Sequence, residues 1–187
     1  PDYQSHCVRF LENDDEQRAA ATFASIDHHR GALFLTGMVP GMLLCHYGQE
    51  DGRRMHSPHR CRRRPPEEGS PFHRRAFREL LHLLAEPARH DGRWQLLEPR
   101  SAEGRSLIGC LWTLTGYHSL VFIVNAGWGH VTGAVDAGPL AERDCQFQDC
   151  LASGPFRTVT AATLRDEALR VSLPPWGVQT WRVMHVR

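Results

Sequence analysis

Asn13, Asp14, Asp15 and Glu16 follow directly on a short apolar-rich stretch, His6 to Glu12, and Arg18 stands just beyond them. Carboxylates gathered where a buried strand ends can hold hydroxyl groups or move protons, and an amide and a guanidinium beside them supply donors. In parallel barrels the strand ends form the face on which catalytic side chains collect. A plainer use exists for the same residues. Asp14 or Asp15 can cap a helix starting near Glu16, and Glu16 then complements the helix dipole. On chemistry alone the cap is the preferred reading.

The elements that would position this segment can be traced along the chain. Residues 6 to 12 read as a short buried strand, and Glu16 to Ser25 is Ala-rich with good helix formers. A second helical stretch runs from about His28 to Val39, where Pro40-Gly41 ends it. Met42 to Tyr47 is an apolar run bounded by Gly48, as expected of a strand buried on both faces. Gly48 to Gly69 has no period and reads as a long loop. Ser70 then caps a helix with Pro71 in its first position, and Phe72, Ala76, Phe77, Leu80, Leu81, Leu83 and Leu84 mark its apolar face. The order strand, helix, strand, helix is that of parallel βα units. Two parallel strands and two helices cannot close a core alone, so these residues read as the last part of a larger α/β domain.

Beyond Trp94 the texture turns to short β-rich runs: Trp94 to Leu97, Leu107 to Leu114, Ser119 to Asn125, Val131 to Asp136, Phe147 to Leu151, Leu169 to Leu173 and Val178 to Val186. Turn signals such as Thr115-Gly116 and Ala137-Gly138-Pro139 separate them, which predicts an antiparallel sandwich of about seven strands. Pro174-Pro175 precedes the last strand and can set its edge. The boundary between the two textures falls near Gly92, giving domains 1–91 and 92–187.

Composition narrows the function classes. In 187 residues there are 22 basic side chains against 21 acidic ones, a net charge of +1, and 41% hydrophobic residues. A near-neutral globular chain is not built for non-specific nucleic-acid or polybasic membrane binding. All the basic residues are Arg, so Arg abundance by itself carries no message about phosphates. No apolar run approaches the roughly 20 residues a membrane helix needs. The chain opens on Pro1 and not on Met, so it is read as processed or as starting inside a longer reading frame; no signal-peptide pattern follows, and the location is left open with the cytoplasm slightly preferred.

Cys7, Cys45 and Cys110 lie in apolar runs, where a free buried thiol is ordinary. Cys145 and Cys150 lack a zinc or redox spacing. His56, His59 and Cys61 are the densest possible metal cluster, but Arg53, Arg54, Arg60 and Arg62 to Arg64 surround them and disfavour a divalent cation. Neither a metal nor any other cofactor is expected. The same six Arg could make a loop for nucleic acid or another anionic partner, yet Glu67 and Glu68 follow and no aromatics are interleaved, so a solvated connection is preferred.

Two segments resemble a known family. Phe10-Leu11-Glu12-Asn13-Asp14-Asp15 resembles the strand-7 motif of the α-amylase family, glycoside hydrolase family 13, written Phe-x-x-Asn-His-Asp. Pro40-Gly41, an apolar run, and Tyr47-Gly48-Gln49-Glu50 with Gly52 are similar to its strand-8 segment. The resemblance implies an α/β plus all-β fold: the C-terminal quarter of a (β/α)8 TIM barrel, then the antiparallel β-sandwich these enzymes carry. It implies an α-glucan or oligosaccharide substrate in the full-length enzyme; composition argues for no nucleic acid and no membrane partner, and the two-strand half needs the rest of a barrel to close its core.

By the same resemblance Asp15 corresponds to the third catalytic carboxylate, which holds sugar hydroxyls and stabilises the oxocarbenium-like transition state. A retaining glycosidase also needs a nucleophile and a general acid. In this family those come from strands 4 and 5, to which nothing here corresponds, and Glu12 and Glu16 do not replace them. The chain alone is therefore expected to be inactive. Asn13 keeps the family type. Asp14 stands where the family has a His donor, so a group that only accepts replaces one that donates. Arg18 and Glu50 match family tendencies as substrate-binding candidates, although such residues are more often ion-paired and structural. Among the tryptophans 94, 112, 128, 176 and 181, Trp128 between two glycines is the candidate exposed platform for a sugar ring, against the default of core packing. The alternative function is a non-enzymatic carbohydrate-binding or interaction module that works through the sandwich.

Overall fold

The computed structural model describes residues 2–56, 63, 66–152 and 154–186. It comprises two compact units, Pro1–His82 and Leu83–Arg187. Among the described residues, no helix is long and apolar enough to cross a membrane.

The first unit holds α1 (Asp2–Ser5), β1 (Val8–Arg9), α2 (Ala19–Thr22), α3 (Ile26–Met38), β2 (Met42–Leu43) and most of α4 (Pro71–Leu84). β1 and β2 are parallel, as the strand, helix, strand order requires, with Val8 opposite Met42 and Arg9 opposite Leu43. Hydrogen bonds from Met42 N–H to the Cys7 carbonyl (3.0 Å) and from Leu44 N–H to the Arg9 carbonyl (2.8 Å) complete the ladder. Gly41, at φ +113°, lets the strands approach, because a Cβ there would lie 2.5 Å from the Cys7 carbonyl oxygen.

Both strands are shorter than the sequence suggests. The ladder covers only Val8–Arg9 of the expected 6–12, and Met42 and Tyr47 are each 63% exposed, so the run is not buried on both faces. Each strand has a single partner, and among the described residues no further strand joins the pair. Cys45 is exposed for the same reason, and Cys7 is only half-buried.

The expected helix Glu16–Ser25 shrinks to the single turn of α2, because Ser25 caps the next helix instead: its Oγ accepts from His28 N–H at 3.0 Å. On α4, Ala76, Phe77, Leu80 and Leu83 are buried as expected, whereas Phe72 and Leu81 face solvent. An Arg30–Glu79 ion pair (3.0 Å) ties α3 to α4.

The second unit contains α5 (Pro87–Asp91), β3 (Arg93–Leu97), β4 (Leu107–Thr113), β5 (Ser119–Asn125), β6 (Val131–Val135), β7 (Cys145–Asp149), β8 (Arg157–Val159), α6 (Ala161–Glu167), β9 (Leu169–Leu173) and β10 (Val178–His185). Six strands form an antiparallel sheet in the order β3-β4-β5-β10-β7-β8, and β6 and β9 form a second antiparallel sheet. One apolar cluster draws on both: Leu107, Leu111, Val121, Ile123 and Phe147 from the larger, and Val131, Val135 and Leu173 from the smaller. β9 shows the period of two, with Leu169, Val171 and Leu173 buried and Arg170 and Ser172 exposed.

Three expectations need correction here. The predicted strand Phe147–Leu151 is Cys145–Asp149, displaced because Asp149 turns the chain by accepting from Leu151 and Ala152 N–H. β8 and α6 were not foreseen. β10 does not follow Pro174-Pro175 as an edge strand but lies between β5 and β7, which is possible because both prolines precede its first ladder residue.

Candidate functional site

The segment after β1 is organised from its buried end. Glu12 is fully buried. One carboxylate oxygen accepts the Ala19 N–H at the start of α2 (2.6 Å), and the other faces Arg18 Nη2 at 2.8 Å and His46 Nδ1 at 3.7 Å. Burial pushes the Glu12 pKa up, the Ala19 N–H and Arg18 hold it down, and Glu50 adds a smaller upward push. Arg18 is 2% exposed. Its guanidinium also reaches His46 Nδ1 (3.1 Å), the Tyr47 carbonyl (3.2 Å) and the Arg53 carbonyl (3.4 Å). A charge that deep is tolerated because every face of it is paired. Arg18 is thus an internal strut between the ends of β1 and β2, not a group presented to a ligand.

Asn13 forms the turn that follows. Its Oδ1 accepts from the N–H groups of Asp15 and Glu16, each at 2.9 Å. The cap expected of Asp14 or Asp15 is absent, because no helix starts at Glu16: α2 begins only at Ala19, whose N–H is taken by Glu12. Asp14, Asp15 and Glu16 are exposed. The Asp14 carbonyl accepts from His56 Nε2 (3.0 Å). Glu50 curls back on its own turn and accepts from Gly48 N–H (2.9 Å). Arg53 stacks on the Tyr47 ring (4.9 Å), and Asp51 binds Arg74 Nε of α4 (2.6 Å).

Asn13, Asp14 and Asp15 thus share one turn after β1, with Arg18 buried against Glu12 and Glu50 acting on Glu12 through its charge. Trp128 belongs to the second unit, where it is 66% exposed. His59, Cys61, Arg60, Arg62 and Arg64 lie outside the described residues. Among the described residues no three His, Cys, Asp or Glu side chains are grouped to hold a metal ion.

A histidine pair went unforeseen. His29 on α3 and His73 on α4 meet through Nδ1 and Nε2 at 3.0 Å, and His29 stacks on Phe23 with rings 5.4 Å apart. His29 is 2% exposed, and its pKa is pulled down to about 4, first by burial and then by His73 and His28. The pair borders a cavity of about 450 Å³ shared with Arg54, Glu67, Glu68 and Ser70. Gly52, at φ +67°, lets it form, because a Cβ would lie 2.4 Å from His73 Nδ1. Position 29 falls on the inward stripe of its helix, but nothing in the residue type reveals its partner 44 positions away.

The architecture decides which known proteins the chain is similar to. A maltogenic α-amylase from Thermotoga neapolitana superposes with a TM-score of 0.69 over 96% of this chain and 41% of that one, at 16% identity. The fold is that of the C-terminal part of an α-amylase. The α-amylase of Geobacillus thermoleovorans, solved with acarbose, gives a TM-score of 0.72 over 98% of this chain and 40% of that one, at 15% identity. A debranching enzyme from Nostoc punctiforme, soaked with acarbose, gives 0.61 over 96% and 34%, at 21% identity. The chain thus spans about two fifths or less of the length of each of these three structures. No protein-family model and no curated protein matches the sequence.

Proposed function

We propose that this chain is the C-terminal part of an α-amylase-like glycoside hydrolase or transglycosidase acting on α-linked glucans. In this reading residues 1–91 are strands 7 and 8 of a (β/α)8 barrel with their helices, and residues 92–187 are the β-sandwich domain that follows it. The observation that carries the reading is the match of nearly the whole chain to a minor part of two α-amylases and a debranching enzyme. The exposed apolar side chains of Val8, Phe10, Met42 and Leu44 support it, since strands inside a barrel bury such groups against neighbours.

Within that frame the rim divides its labour by burial. Glu12 is sealed under Arg18 and the α2 backbone, so it meets no substrate and holds the strand ends in register. Asn13 fixes the turn. Asp15 is left exposed to accept hydrogen bonds from sugar hydroxyls and to oppose the positive charge that develops at the anomeric carbon. Asp14 accepts where the family donates, so it favours a different hydroxyl orientation at that position. The nucleophile and the general acid come from outside this chain.

The chain alone is expected to release nothing from starch, maltooligosaccharides or trehalose. Turnover by the chain alone that Asp15→Ala abolishes would overturn its assignment as an incomplete catalytic unit. In the complete reading frame, Asp15→Asn should lower kcat by roughly 10²–10³-fold. An unchanged kcat there would remove Asp15 from the chemistry.

A further inference from the structure

The second unit carries an exposed aromatic surface that the strand-end site does not use. Trp128 lies in the β5–β6 connection, 66% exposed. Trp176, in the β9–β10 connection, stands edge-on to it with ring centroids 6.0 Å apart and planes at 73°. A single exposed indole needs no explanation. Here the loops that present both indoles are fastened by one residue.

That residue is Asn125, the fully buried last residue of β5. Its Oδ1 accepts from Gly127 N–H (3.0 Å) and Ser106 Oγ (2.9 Å). Its Nδ2 donates toward the carbonyls of Gly129 (2.8 Å) and Pro174 (2.9 Å). Its own carbonyl accepts from Trp176 N–H (2.9 Å), and its N–H donates to the Gly177 carbonyl (3.0 Å). Trp176 is thereby held at φ +56°, a backbone region that bulky residues avoid without such support. These bonds hold the backbones of both loops in place, so little loop-ordering entropy opposes binding.

We propose that Trp128, braced by Trp176, is a stacking platform for a pyranose ring of an α-glucan chain, built entirely from residues of the second unit. The choice of glucan rests on the function proposed above. The chemistry rests on the platform and its polar surroundings. A pyranose offers one apolar face to an indole and a ring of hydroxyls at its edge, and beside Trp128 in sequence the exposed His130 begins a polar string. Its Nε2 lies 3.4 Å from Ser172 Oγ, which lies 3.1 Å from Thr132 Oγ1, all on the exposed side of the β6–β9 sheet. These groups both donate and accept, as sugar hydroxyls require.

The test is titration of the chain with maltoheptaose, followed by tryptophan fluorescence and calorimetry. Saturable binding with a Kd on the order of millimolar is expected for one stacked ring. Trp128→Ala should weaken it about tenfold, and Trp176→Ala should weaken it as well. Near-UV circular dichroism verifies that both variants are folded. Tyr117→Ala, which removes another exposed aromatic of this unit, should bind as the parent does. Absent binding by the parent, an affinity for Trp128→Ala within about twofold of it, or equal affinity for β-linked cellohexaose would each overturn the proposal. Because binding is read on the chain alone, a complete enzyme inactive on α-glucans would overturn the proposed function while leaving this measurement standing. An active enzyme whose Trp128→Ala chain binds normally would overturn only the platform.

Discussion

Acidification from pH 7 to pH 5 should weaken the first unit by an amount that can be worked from His29. Folded, this imidazole takes a proton only near pH 4, whereas its ordinary value is 6.5. The unfolded chain therefore binds the proton first as pH falls. The stabilisation is complete above pH 6.5 and is lost progressively between 6.5 and 4. Linkage over that interval gives about 2 kcal/mol lost between pH 7 and pH 5, rising to about 3 kcal/mol at pH 4. His28 and His73, also held below their ordinary values by burial, act in the same direction. Glu12, whose pKa is raised, acts in the opposite one. Urea unfolding of parent and His29→Gln at both pH values isolates the His29 share, because the substitution removes that proton site and leaves the others. The parent should lose about 2 kcal/mol more than the variant on going to pH 5. Equal losses, or an NMR titration placing His29 above pH 6, would refute the reasoning.

Removing the internal strut should be costly. Arg18→Ala leaves Glu12 buried without its cation and should cost about 3–5 kcal/mol by urea unfolding, and adding Glu12→Gln should recover part of that loss. Gly52→Ala combines a positive φ with a Cβ driven into His73, so a loss of about 2 kcal/mol or more in the same assay is expected. Asp15→Asn, which alters an exposed side chain outside these networks, should leave stability within about 0.5 kcal/mol of the parent.

Much of the fold is readable because local signals and tertiary needs agree. Ser70-Pro71 followed by apolar residues at helical spacing gives α4 its start and its inner face, and Ser119 to Asn125 is a strand at its predicted ends. The parallel pairing of β1 with β2 follows from the order of elements. What escaped has definite causes. β8 is three residues long with no buried side chain among them. α6 ends at Ala168, held at φ +60° where a glycine would have announced the stop. Burial of Met42 to Tyr47 was inferred from apolarity, which states what a strand prefers and not whether a neighbour is there to cover it. At the rim, Asp14 and Asp15 were both eligible caps. Neither caps a helix, because none starts at Glu16: α2 begins at Ala19, whose N–H goes to Glu12, and both carboxylates are exposed. Glu12 was invisible as a buried group, because an acid goes inside only with a partner, and Arg18 acquires that position through folding.

The position of β10 bears on the order in which the second unit assembles. Trp181 pairs with Val121 on one side and with Asp149 on the other, so this late strand joins two parts of a sheet that share no ladder without it. During synthesis, β3, β4 and β5 can zip together as each emerges. β7 and β8 must wait, their inner edge unpaired, until residues 178–185 leave the ribosome. The interval exposes two strand edges of the kind that template association between chains. Shortening the chain within β10 would make that interval permanent: it would remove the seam of the sheet, not trim its border.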